Sequence, residues 1–115
     1  MNDTLPGIER IKTRFLSLLA ERQTAIARHA LAAWESGDAT ERLTHLTEAQ
    51  NLLHQIAGSA GSLGFAPLGQ TASECEHEII ACIADNAHQT QLDEALISKL
   101  DMFVSKTQAL LSQHV

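Results

Sequence analysis

The sequence predicts an all-α protein, an up-down-up-down antiparallel four-helix bundle with room for a short extra helical turn at the N-terminus. β-Branched residues are sparse while Ala, Leu, Glu and Gln are abundant, which favours helix along nearly the whole chain. Apolar residues recur at steps of three and four in four separate stretches. Links of only a few residues join the stretches, so successive helices must be antiparallel neighbours. At 115 residues the chain is the size of one domain, expected over 1–115. A chain of that length buries roughly two thirds of its unfolded surface, enough for one core without staples.

The first helix is expected over about 7–35, with Ile8, Ile11, Phe15, Leu18, Leu19, Ile26, Ala30 and Trp34 as its stripe and Ser36-Gly37 as its stop. Pro6-Gly7 marks a place where it can break near its start. The second, over about 39–63, takes Asp38 or Thr40 as N-cap, with Glu41 three residues past Asp38 as a capping-box partner. Its seam of Leu46, Ala49, Leu53, Ile56, Ala60 and Leu63 alternates steps of three and four, and Gly64 suits the position after its end. The third, over about 67–85, starts at Pro67 and buries Leu68, Ala72, Cys75, Ile79 and Cys82 or Ile83, stopping at Asp85-Asn86. The fourth, over about 91–113, is capped by Thr90 with Asp93 three on, and buries Leu92, Leu96, Leu100, Phe103, Thr107 and Leu110 or Leu111.

Charge excludes several functions. The net charge is -6, and positions 43 to 98 contain no Lys or Arg but seven acids. Nucleic-acid binding needs clustered cations, as does an anionic membrane surface, so neither is an expected partner. Phe15, Trp34, Phe65 and Phe103 are the aromatic residues, too few and too scattered for a base-stacking platform. No apolar run approaches the ~18 residues that span a bilayer, and MNDTLPGIER lacks the pattern of a signal peptide. Cys75 and Cys82, about 10.5 Å apart if both lie on one helix, are too distant for a disulfide and read as thiols of a reducing cytoplasm.

Residues 54–64, His-Gln-Ile-Ala-Gly-Ser-Ala-Gly-Ser-Leu-Gly, do not behave like core. Each glycine costs a helix ~1 kcal/mol against Ala. Yet Leu53, Ile56, Ala60 and Leu63 hold the seam in phase through them, so the helix is expected to continue. At about 100° per residue, with Leu53 at zero, the seam centres near about 330° and His54 falls at about 100°. Gln50, Asn51, Gly58 and Gly61 fall within about 60° of His54, a turn or more away in each direction. A histidine thus stands on the solvent side, and the missing side chains at Gly58 and Gly61 clear space for another body to approach it.

This stretch resembles the histidine phosphotransfer (HPt) domain family of bacterial multistep phosphorelays. His54, Ile56, Gly58, Ser59, Leu63 and Gly64 fall in register with the family's pattern, Leu68 matches the aliphatic opening its next helix, and Glu76 fits an acid common later on that helix. The resemblance covers most of the chain and implies a four-helix bundle. It implies that His54 accepts a phosphoryl group from an aspartyl phosphate on a receiver domain and passes it to another receiver. A receiver would bring its own Mg²⁺, so the carrier is expected to hold no cofactor and no metal. Receivers of response regulators or hybrid sensor kinases are the expected partners, and a free-standing cytoplasmic monomer the expected form. An imidazole with an ordinary pKa of ~6.5 is a good nucleophile at neutral pH. Gln50, Asn51 and Gln55 are candidates to bond phosphoryl oxygens or orient the ring, and Ser59, at about 240°, is a weaker one. The family usually carries Lys three residues after its histidine; this chain has Ala57. Phosphoryl charge must then be balanced by polar groups, by the first helix (Arg10, Lys12, Arg14, Arg22, Arg28) or by the partner.

The alternative within the same fold is a module that binds a receiver or kinase without carrying phosphate. Other readings are weaker. Glu74 and His77 have the Glu-x-x-His spacing of carboxylate-bridged metal bundles, but only one copy is present and His77 lies off the seam. Glu41 and His45, four residues apart, read as a surface pair rather than a ligand set. The glycine run lacks the Gly-Lys-Ser/Thr ending of a nucleotide phosphate loop.

Overall fold

A computed structural model describes residues 6–84 and 94–114, and these are helical apart from short links. The elements are α1 (Pro6–Glu35), α2 (Ala39–Ala60), a 3₁₀ turn (Gly61–Leu63), α3 (Ala66–Ala84) and α4 (Glu94–Gln113). No strand occurs among the described residues. The cap expected at Thr90 with Asp93, the stripe residue Leu92 and the stop at Asp85-Asn86 lie outside them. α1 is continuous from Pro6, so neither a break at Pro6-Gly7 nor a separate N-terminal turn is present among the described residues.

Asp38, not Thr40, is the N-cap of α2: its backbone is extended and its carboxylate accepts from the Thr40 N–H at 3.2 Å. The link from Ser36 to Asp38 is further tied by Arg42, nearly fully buried, whose Nη1 donates to the Ser36 carbonyl at 2.9 Å. At its other end α2 runs through Gly58 but stops at Ala60, short of the expected 63, with Gly61 as its C-cap. A 3₁₀ turn over Gly61–Leu63 follows, closed by Gly64 at φ +92°, the left-handed conformation glycine adopts without strain. α3 starts at Ala66, one residue before the expected Pro67.

The α2 seam is buried as its spacing predicts from Leu46 through Ala49, Leu53 and Ile56 to Ala60, all fully enclosed, whereas Leu63, in the 3₁₀ turn, is only half-buried. Leu68, Ala72, Cys75 and Ile79 of α3 and Leu96, Leu100, Phe103 and Thr107 of α4 complete it with Phe15, Leu19, Ile26 and Ala33 of α1. α2 packs against α1 and α3, and α4 against the same two. Contacts between α1 and α2 (His29 with His45, Ser36 with Arg42) and between α2 and α3 (His54 with Glu76, Ala60 with Gly69) run in opposite chain directions. Gly69 permits the α2–α3 approach: a Cβ there would lie 3.3 Å from the Ala60 Cβ, tighter than ordinary van der Waals contact.

Four stripe residues of α1 are not core: Ile8, Ile11 and Trp34 are 38%, 51% and 50% exposed, and Leu18 is half-buried outside the core cluster. The first two overhang. α1 has 30 residues, about 45 Å, against 22 residues, about 33 Å, in α2. With the hairpin tied at Ser36–Asp38, the surplus projects past the far end, where Phe15 stacks on Phe65 at 5.5 Å and the His114 ring meets Phe65 edge-on. Near the tied end Ala33, fully buried, takes the inward position. Trp34, about 100° around the helix, is thereby turned toward a shallow apolar groove between α1 and α4.

Both cysteines lie on α3, and neither forms a disulfide among the described residues. Cys75 Sγ donates to the Lys99 carbonyl of α4 at 3.3 Å, and burial pushes its thiol up from 9.0 to about 11. Below pH 9 the thiol is protonated whether the chain is folded or not. From pH 9 to about 11 only the unfolded chain ionises, so stability is expected to fall as pH rises through that window. Urea midpoints of the wild type and Cys75→Ala across it measure this; the variant should lack the Cys75 part of the slope.

Candidate functional site

α2 and α3 descend from the Gly64 turn side by side, and two polar side chains meet on their shared edge. His54 keeps its side chain 75% exposed, while Glu76, on the adjacent turn of α3, has an 11% exposed side chain. Their contact, Nδ1 to Oε2, measures 2.9 Å. A carboxylate only accepts, so the ring nitrogen donates, and Nδ1 carries the hydrogen. That assigns the tautomer: in the neutral ring Nε2 carries the lone pair, on a side chain turned to solvent.

Glu76 matched an acid on the helix after the glycine run, but its partnership with His54 was missed. The antiparallel register could have found it. Ala60 faces Gly69 across the pair, and equal steps back along α2 and forward along α3 bring His54 level with residue 75, one from Glu76.

The other candidates lie where the helical wheel puts them. Asn51 and Gln55 are exposed and Gln50 half-buried, all within a turn of His54 on α2. Ser59 is half-buried. Gly58 and Gly61 are exposed, and a Cβ added at either meets nothing within 4 Å. The clearing is therefore real space on the protein surface, and neither glycine is required by packing. Ala57, where the resemblance leads one to expect Lys, is half-buried against the core, and its carbonyl oxygen lies 3.6 Å from the position of a Cβ on Gly69. Among the cations of α1, Arg22 is nearest in height to the site: nine residues from His45 to His54 along α2 correspond to nine residues back from His29 along α1.

Glu74 and His77 are exposed on α3 and do not converge with further ligands. Among the described residues no group of three or more His, Cys, Asp or Glu is placed to hold a metal ion. No helix among them is long and apolar enough to cross a membrane.

The family model described as "Hpt domain" matches residues 10–112 of the 115-residue chain. No curated protein and no solved structure gives a significant match.

Proposed function

The chain belongs to the Hpt domain family, and from that premise we propose that it is a histidine phosphotransfer protein whose phosphoacceptor is His54. Members of this family are phosphocarrier modules of two-component signalling, not turnover enzymes, and interact with receiver domains. The observation that carries the assignment to His54 is its hydrogen bond to Glu76 on an otherwise open helix face.

Glu76 accepts the Nδ1 hydrogen and leaves the Nε2 lone pair facing solvent. Nε2 attacks the phosphorus of an aspartyl phosphate, the N–P bond forms, the P–O bond to the aspartate breaks, and the aspartate leaves as a carboxylate. The ring keeps its Nδ1 hydrogen and becomes a phosphorylated imidazolium, whose positive charge sits against the Glu76 carboxylate. Such a carboxylate fixes the tautomer and stabilises the imidazolium as it develops without itself taking the proton. The imidazolium also offsets part of the phosphoryl charge, which eases the lack of a cation at Ala57. Transfer onward reverses the step. Phosphoryl transfer has a loose transition state, so positioning and charge do most of the work, and Mg²⁺ would belong to the receiver.

In this reading the whole chain is one domain, a cytoplasmic monomer working between two receivers, and its helices alternate up and down. The antiparallel contacts of α1 with α2 and of α2 with α3 support that order. Gln50, Asn51 and Gln55 ring the site as docking or phosphoryl-bonding groups. The test is to mix the chain with a phosphorylated receiver and map acid-labile, base-stable phosphate, with ³¹P NMR to distinguish the two ring nitrogens. Phosphate on Nε2 of His54 is expected. Receiver binding with no phosphohistidine would leave only the interaction-module alternative, and phosphate on another histidine would overturn the assignment.

Glu76 has its own expected result. Glu76→Ala should slow phosphoryl uptake by about 10–100-fold, the scale seen when the carboxylate behind a metal-ligating histidine is removed. Glu76→Gln, whose amide oxygen still accepts from Nδ1, should recover part of the rate. Single-turnover transfer from a receiver measures both.

A further inference from the structure

A second pair of imidazoles, unused by phosphoryl transfer, sits at the other end of α2. His29 lies seven residues before Ser36 and His45 seven after Asp38, so the α1–α2 hairpin brings them to the same height. Their Nδ1 atoms are 3.0 Å apart, with ring centroids at 5.2 Å and planes tilted by 40°. Both residues are half-buried. We propose that His29 and His45 form a binding site for a divalent transition-metal ion, Cu²⁺ before Ni²⁺ or Zn²⁺, chelated through both Nδ1 atoms and bridging α1 to α2.

The spacing carries the proposal. Two nitrogens each about 2.0–2.1 Å from one ion and 3.0 Å from each other subtend roughly 91–97° at the metal. That is the cis angle of a tetragonal or square-planar site, the geometry of Cu²⁺ and Ni²⁺. A tetrahedral Zn²⁺ needs the nitrogens opened to about 3.3 Å. Affinity of imidazole sites also peaks at Cu²⁺ among the divalent ions. The capped link fixes both helices within two turns of the pair (Asp38 on the Thr40 N–H, and Arg42 on the Ser36 carbonyl), so loading requires only that each ring turn by about 40° from its partner's Nδ1 toward the ion.

Glu41 supports one ligand from behind. Its Oε1 lies 3.9 Å from His45 Nε2, one small side-chain movement from accepting the Nε2 hydrogen. That bond would keep His45 in the tautomer whose Nδ1 lone pair is free for the ion. With no ion bound, one neutral ring must donate Nδ1–H to the other. Loading moves that hydrogen to Nε2 of its own ring, so the neutral pair releases no net proton. The pair supplies two coordination positions and water the rest.

Untagged protein titrated with CuCl₂ tests this, by chelator competition and by electron paramagnetic resonance. One Cu²⁺ per chain is expected, with nitrogen hyperfine structure from two imidazoles. His29→Ala and His45→Ala should each weaken binding at least tenfold and leave one imidazole signal, whereas His54→Gln and His77→Gln leave both readouts unchanged. Copper should raise the melting temperature of the wild type and not of the two ligand variants. Circular dichroism checks that the variants are folded; His29→Asn and His45→Gln, which keep polar side chains, replace any that are not. Absence of copper uptake at micromolar concentration, or uptake insensitive to both ligand variants, overturns the site. So does uptake that depends on His54 or His77 instead.

Discussion

His54→Gln is expected to take phosphoryl uptake from a phosphorylated receiver to background while the helical circular-dichroism signal stays at the wild-type level. Both halves follow from where the side chain sits. It is 75% exposed and contributes no buried apolar area, so its loss opens no cavity. The Gln amide can still donate to the Glu76 carboxylate, so that buried acid keeps a partner. What disappears is the nucleophile, since an amide nitrogen has no available lone pair for attack on phosphorus. No neighbour replaces it: Gln50, Asn51 and Gln55 are amides, and Gly58 and Gly61 have no side chain. The measurement is radiolabel transfer from a phosphorylated receiver followed by gel separation. Undiminished label on the variant would remove His54 from the mechanism.

Much of this was legible in the sequence, for reasons that differ by element. The α2 seam, at alternating steps of three and four, was read correctly because a helix packed between two others must bury one continuous stripe. That stripe also fixed the azimuth of His54, and with it the open face at Gly58 and Gly61. The same argument failed on α1, where Ile8 and Ile11 belong to the stripe but project past the shorter partner helix. Periodicity reports which face a helix would bury, not how far its neighbours extend. It failed at Trp34 too, where Ala33 beside it is the buried residue. The two contacts that matter most chemically, His54 with Glu76 and His29 with His45, join residues 22 and 16 positions apart. No local pattern contains them. They depend on the register of antiparallel helices, set by the Gly64 turn for one and by the Ser36–Asp38 link for the other.

Gly58→Leu separates docking from folding, because the two should move in opposite directions. In a helix interior Gly is worse than Leu by roughly 0.5–1 kcal/mol. A Cβ at Gly58 meets nothing within 4 Å, so the variant should be more stable by about that much in urea unfolding. A helical side chain leans toward the N-terminus and covers the turn before its own Cα. Leucine at this position therefore lies over the turn that carries His54, where a receiver must bring its aspartyl phosphate into line with Nε2. Phosphoryl transfer should fall at least tenfold, on the order of 1.4 kcal/mol of lost transition-state stabilisation. Gly58→Ala should share the gain in stability with a much smaller loss of transfer, since a methyl group does not reach back over the ring. If Gly58→Leu gained stability and kept the wild-type transfer rate, the cleared surface would have no part in docking, and the glycine's cost to the helix would need another cause.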